Sequence, residues 1–220
     1  MLDKYKTFWE ASRALHSKLM KQGISTEVMM KSGKLLRIVR DKTFMFESEA
    51  EMAAVMEFAL HEYRVNGKTG VETYDEDVGG ESEIETEILH ALVDSYTSLF
   101  EVVTIVMPDH TLLLRDVLGK RGDVWLTDIN LSETAAVGFL LFLRVLSFAD
   151  FNATSGITFA FAGDRKGHLL KKHRKLSDKH PSASDSLKRF IAFFWLHRTD
   201  GCAWGPDKRN EAVLSIGPTT

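Results

Sequence analysis

The spacing of the apolar residues changes once, near Leu99, and that change limits the fold more than any other feature. Before it, apolar residues return every three or four positions; after it they come in short runs rich in β-branched and aromatic residues. The runs are Phe100–Met107, Thr111–Val117, Val124–Thr127, Phe139–Phe148 and Ile157–Phe161. Turn formers separate them at Pro108-Asp109, Gly119, Gly122-Asp123, Asn130, Gly138 and Asn152. Short runs about ten residues apart, punctuated in this way, predict a small antiparallel β-barrel or a strongly bent sheet. The switch from helix to strand is expected between Tyr96 and Phe100, with Phe100, Val102 and Thr104 on one face.

Upstream the pattern is helical. Tyr5, Phe8, Trp9, Ser12, Leu15 and Leu19 form one stripe, closed at Gly23. Ser25-Thr26-Glu27 predicts a second helix start, running through Met29 and Met30 toward Leu36, with Gly33 weakening its middle. Ser48 and Glu51 have the spacing of a capping box, and Met52, Val55, Met56, Ala59, Leu60 and Tyr63 follow on one stripe ended by Asn66-Gly67. Eight acidic residues and no basic one lie from Glu72 to Glu87. With Val78-Gly-Gly80 inside it, this run reads as a mobile acidic loop entering a helix that turns Ile84, Ile88, Leu89, Leu92, Val93 and Tyr96 inward.

Downstream, Gly163–Gly167 is a turn before a short basic helix with Leu169, Leu170 and Leu176, stopped by Pro181. Ser184 starts a last helix whose Leu187, Phe190, Ile191, Phe194 and Trp195 share a face. That face is expected to pack within the chain, with Trp195 partly at a homodimer surface. The fold class expected is α+β. Residues 1–96 are helical, 97–163 hold the small barrel, 164–200 form two helices packed on it, and 201–220 are a loose tail. One continuous core is expected to join them.

Composition excludes several function classes. A net charge of −3 gives no overall attraction to nucleic acid or to an anionic membrane. The single cysteine, Cys202, excludes an internal disulfide and a zinc shell of several thiolates. No apolar signal core follows Met1-Leu-Asp-Lys-Tyr-Lys6, and Arg144 ends the apolar window Phe139–Leu143 far short of the ~20 residues a membrane span needs. The expected location is the cytoplasm.

Residues able to carry chemistry are scattered. Tyr74-Asp-Glu-Asp77 lacks the alternating ligands of a calcium loop. His61-Glu62 invites comparison with the His-Glu-x-x-His metal motif, but position 65 is Val, so both residues read as flanks of the Leu60/Tyr63 face. His168, His173 and His180 lie among lysines and arginines, which disfavours a metal. No metal, no cofactor and no catalytic constellation is predicted.

Two groups remain as contact candidates. Arg165–Lys175 carries six Lys or Arg; Lys171, Lys172, Arg174 and Lys175 could make weak, non-specific contact with an anion or nucleic acid. The plainer reading pairs this segment with the acidic run. Arg115 and Asp116 are adjacent in a strand, so they point to opposite faces, and Arg144 interrupts another apolar strand. An Asp116–Arg144 ion pair across neighbouring strands would satisfy both inward charges. The sharper alternative makes Arg115, Asp116 and Arg144 a ligand-facing cluster at a barrel mouth.

Several short motifs recur in a familiar order: Phe58-Ala-Leu-His-Glu-Tyr-Arg64, Asn66-Gly-Lys-Thr69, Ser98-Leu-Phe-Glu-Val-Val103, Leu114-Arg-Asp-Val-Leu118, Leu131-Ser-Glu-Thr-Ala-Ala-Val-Gly138 and Leu143-Arg-Val-Leu146. The order resembles a group of uncharacterised bacterial proteins whose members often carry a SEC-C-type zinc-binding tail. That tail is absent here, since Cys202 is the only cysteine. The resemblance implies a fold and assigns no activity. Two readings of function stand: a non-enzymatic binding or interaction module, or a hydrolase or transferase with a dispersed site using His110, Asp116, Asp128 or Cys202. The lack of clustered chemistry favours the module.

Overall fold

The computed structural model describes residues 2–119, 121–179 and 183–202. Its elements run α1 (Leu2–Gln22), α2 (Thr26–Leu35), β1 (Val39–Arg40), β2 (Thr43–Phe44), α3 (Glu49–His61), α4 (Gly70–Asp77) and α5 (Glu83–Val93). They continue as β3 (Tyr96–Val106), β4 (Thr111–Asp116), β5 (Val124–Thr127), α6 (Ile129–Thr134), β6 (Leu140–Ser147), β7 (Asn152–Phe161), α7 (Lys166–Ser177) and α8 (Asp185–Asp200). Helix gives way to strand between Val93 and Tyr96, a few residues before the expected switch between Tyr96 and Phe100, so Tyr96, expected on the helix, opens β3.

The main sheet has the order β5-β4-β3-β6-β7 with every neighbouring pair antiparallel. It bends strongly without closing. In a flat sheet β5 and β7 would stand about 19 Å apart, yet Asn152 Nδ2 donates to the Trp125 carbonyl at 2.9 Å. No backbone ladder joins these two edges among the described residues, so the expected barrel is an open, curled sheet. The four-residue β5 is too short to supply one, because Asp128 turns the chain directly into α6.

Residues paired across antiparallel strands share a face, so the register sorts the core. Phe100, Val102, Leu112, Leu114, Leu126, Leu141, Leu143, Val145 and Ala160 line the inner face, plugged by Leu131 of α6. Leu99, Leu140, Phe142 and Phe159 line the outer face beneath α3 and α8. A further cluster joins α1, α4 and α5 to Leu146 and Ala153. Phe190, Ile191 and Phe194 are buried within the chain, as the apolar stripe of α8 requires. Phe193, off that stripe, is buried too: its ring stacks on Phe142 at 4.6 Å and on His173 of α7 at 5.1 Å, so α8 is covered over a wider arc. Trp195 is half-buried, with the Arg198 guanidinium 5.2 Å above its ring.

Local expectations divide. Ser25 caps α2, its hydroxyl accepting from Val28 N at 3.2 Å. Gly33 has a packing role: a Cβ there would come within 2.4 Å of the Phe44 ring. Ser48 makes no side-chain cap; Glu51 instead accepts from the Glu47 amide at 2.8 Å and pairs with Arg198 at 2.5 Å. The start of the acidic run is helix α4 where a loop was expected, fixed by a reciprocal capping box between Thr69 and Glu72. Its partners are Arg64 to Glu72, Lys68 to Glu76 and Lys18 to Glu81 and Glu85, so it does not pair with the basic helix as expected. His180, Pro181 and the segment from residue 203 onward lie outside the described residues. Among the described residues no helix is long and apolar enough to cross a membrane.

Candidate functional site

The most unusual side chain in the sheet is Arg144, buried on the outer face of β6. A lone buried guanidinium would be strongly destabilising, and α3 supplies what it needs. Arg144 Nε donates to Glu57 Oε1 at 2.6 Å, Nη2 to Glu62 Oε1 at 2.5 Å and Nη1 to Ser95 Oγ at 3.1 Å. Both glutamates are buried. The strand opposite adjusts to this cluster. Leu143 pairs with Thr158 and Val145 with Thr154, so Arg144 alone faces three residues of β7, a bulge. Gly156 sits in it at φ +102°, where a side chain would be strained. The bulge brings Ser155 Oγ to donate to Glu57 Oε1 at 3.0 Å.

Beside this cluster, between α1, α3 and β7, lies a cavity of about 320 Å³. Phe8, Trp9, Met56, Leu92, Leu146 and Ile157 form its apolar wall; Glu57, His61 and Ser155 form the polar one. Arg13, His16 and Ser17 stand exposed at the rim. Glu57 Oε1 is occupied, but Oε2 accepts no hydrogen bond among the described residues; its neighbour is His61 Nε2 at 3.8 Å. Burial works to raise the Glu57 pKa, and His61 and Arg144 outweigh it, leaving the carboxyl below its ordinary value. Burial, with the Arg144 charge, pushes His61 down to about 3 against the opposing pull of Glu57. Near neutrality the pair is therefore a carboxylate beside a neutral imidazole. Among the described residues no group of three or more His, Cys, Asp or Glu is placed to hold a metal ion.

A family model matches residues 1–205, nearly the whole chain. The chain belongs to the family of unknown function DUF7986. That description makes no mention of a zinc-binding tail. Comparison with the curated proteins and with the solved structures finds no match.

In this DUF7986 chain the three residues expected to converge do not. Asp116 shares the face of Phe100, and Arg144 shares that of Thr97, so they lie on opposite faces of the sheet. The expected Asp116–Arg144 ion pair is therefore replaced: Arg144 holds Glu57 and Glu62, while Asp116 accepts from Ser98 Oγ at 2.6 Å and from the amides of Leu118 and Arg121. Arg115 points the other way from Asp116, as strand alternation requires, and is exposed 3.7 Å from Asp123. It stands opposite Glu101, four residues along β3 from the partner of Arg144, or roughly 13 Å.

The basic helix is partly committed. Lys172 pairs with Asp200 at 3.1 Å, while Lys171, Arg174 and Lys175 are exposed. The residues of the enzymatic alternative are dispersed. Asp128 caps α6 and accepts from Thr154 Oγ1 at 3.1 Å. His110 Nδ1 lies 2.9 Å from Ser132 Oγ, but that hydroxyl is buried and donates to the Ile129 carbonyl. Burial pushes the Cys202 thiol up, the wrong direction for a nucleophile.

The reading of His61 and Glu62 as flanks is corrected: both side chains are buried, at 5% and 1% exposure. Glu57 and Ser155 were missed. The signal for Glu57 was present, since Ala54, Glu57, Phe58 and His61 fall at i, i+3, i+4 and i+7, which puts a charge on the inward face of α3. Ser155 had no such signal, because its position depends on the bulge.

Proposed function

We propose that the protein is a non-enzymatic binding module whose ligand is a small organic cation held in the cavity between α1, α3 and β7. Glu57 Oε2 carries the reading: it is a carboxylate oxygen at the cavity wall without a hydrogen-bond donor among the described residues. Arg144 stands between two carboxylates, so the cluster holds one negative charge in excess. An ammonium group at Oε2 would supply the missing donor and balance that charge. Phe8 and Trp9 present aromatic rings suited to a cation, and Met56, Leu146 and Ile157 suit an apolar body. A volume of about 320 Å³ falls in the range of small-ligand sites. The dispersal of His110, Asp116, Asp128 and Cys202 supports binding over catalysis.

Benzylamine, benzyl alcohol and benzoate, titrated into protein with labelled Met and Ile methyl groups, test the reading. Benzylamine is expected to shift Met56 and Ile157 saturably, with the alcohol weaker by about tenfold or more. Glu57→Gln should remove that preference, and Ile157→Trp, which fills the cavity, should abolish binding while the fold persists. Equal binding of benzoate, or shifts confined to methyls away from the cavity, would overturn the proposal.

A further inference from the structure

A second recess, between α7, α8 and the turn after β4, has the opposite electrostatic character. It encloses about 280 Å³ and is lined by Val117, Leu118 and Leu170 behind, with Arg174, Lys188 and Arg189 around it. Neither the Arg174 nor the Arg189 guanidinium has an ion pair or side-chain hydrogen bond among the described residues, and Arg189 Nε is shut away from solvent without a partner. Asp185 is the one carboxylate among the described lining residues, exposed and 4.0 Å from Lys188. Arg174 and Arg189 thus bring two guanidinia without ion pairs to the lining of one cleft, a concentration of positive charge that an anion would offset.

We infer that this cleft is an anion site, in which Arg174 from α7 and Arg189 from α8 together hold a phosphate-sized dianion, free or as the head of a phosphorylated small molecule. Guanidinium forks match phosphate oxygens in pairs, and donors from two helices fix an orientation that a single charged helix face cannot. Burial weighs against the Arg189 charge more than Glu62, Asp185 and Asp116 support it, so a bound anion would offset that cost. The site is separate from the Glu57 cavity, with which it shares no lining residue. It also differs from the diffuse basic ridge expected of α7, because Lys171 and Lys175 do not line it and Arg189 does.

The test is calorimetric titration of the full chain with inorganic phosphate, and separately with glycerol 3-phosphate, at constant ionic strength. Saturable binding at one site is expected, weakened about tenfold or more by Arg174→Gln and by Arg189→Gln and unchanged by Lys171→Gln. Tighter binding of the ester assigns a phosphorylated metabolite; equal binding assigns the free anion. Arg189 is partly buried, so the exposed Arg174→Gln keeps the test valid if the other variant unfolds. Three results would overturn the inference. One is no saturable binding. Another is equal weakening by Lys171→Gln. The third is preferential binding of a single-stranded oligonucleotide whose salt dependence follows Lys171 and Lys175, which would make α7 a nucleic-acid ridge.

Discussion

The two faces of the curled sheet both hold buried acids, and they compensate them by different means. On the outer face β6 contributes a cation, Arg144, and α3 lies across it with Glu57 and Glu62, so charge meets charge. On the inner face no helix among the described residues brings a cation to Asp128. Its oxygens take backbone amides, Leu131 N at 2.8 Å with that of Asn130 beside it, and the hydroxyl of Thr154. The result is opposite displacements. Glu57 stays ionised, whereas burial raises Asp128 to about 6. What lies across from a buried acid decides its protonation state, and that follows from layer order rather than from neighbours in sequence. The acid whose pKa is held down is also the one with a free lone pair on a cavity, which is why the ligand proposal rests on the outer face.

The strongest way to break this contrast is to remove the outer cation. Arg144→Met leaves two buried carboxylates without a counter-ion and should destabilise the fold by about 3–5 kcal/mol in urea unfolding. Adding Glu57→Gln and Glu62→Gln to that variant should recover most of the loss, since neutral amides need no cation. A loss under about 1 kcal/mol for the single variant would mean that water reaches the cluster and that the outer face is not a charge-compensated core.

Asp128 should respond to pH in the sense opposite to Glu57. Its pKa rises from 3.8 unfolded to about 6 folded, so the stability it adds is fully present below about pH 4 and lost as pH rises through 6. The change is of order 3 kcal/mol across that window. Asp128→Asn keeps a capping oxygen and carries no titrating proton. Its stability relative to the parent should therefore improve between pH 4 and 7 and level off above. A difference flat over that range would show that Asp128 is solvated and that the two faces treat carboxylates alike.

Much of the arrangement beneath this contrast was legible in the chain. The period change located the sheet, and Arg144 was marked as an inward charge because an apolar strand has no other place for position 144. Its partner was not legible. Asp116 was the obvious candidate, but β3 lies between β4 and β6 and the register puts the two side chains on opposite faces. Choosing Glu57 required knowing that α3, far back in the chain, covers β6. Ser155 depends on the bulge opposite Arg144, which shifts the pairing and gives no periodic signal. The α7–α8 cleft was half legible: Arg174 belonged to a visible basic run, while Arg189 sat unremarked on a helix read for its apolar stripe. The acidic run misled for another reason. Thr69 and Glu72 form a capping box that charge counting alone overlooks.

The finest comparison lies in two adjacent residues of β7. Thr154 pairs with Val145 and faces inward to Asp128; Ser155, next to it, reaches outward to Glu57. At pH 8 both acids are ionised, and Thr154→Val removes one of the few donors to an otherwise uncompensated carboxylate, costing about 1.5–3 kcal/mol. At pH 5 Asp128 is mostly protonated, so the part of this cost that comes from Asp128 should fall to about 1 kcal/mol or less, leaving the pH-independent loss of the Thr154 Oγ1 acceptor for Gly156 N. Ser155→Ala leaves Glu57 with Arg144, so its cost should be near 1 kcal/mol and the same at both pH values, because Glu57 remains ionised throughout. Urea unfolding of the two variants at pH 5 and pH 8 gives the four numbers. If Ser155→Ala shows the pH dependence and Thr154→Val does not, the assignment of the lowered and the raised carboxyl pKa to the two faces is reversed.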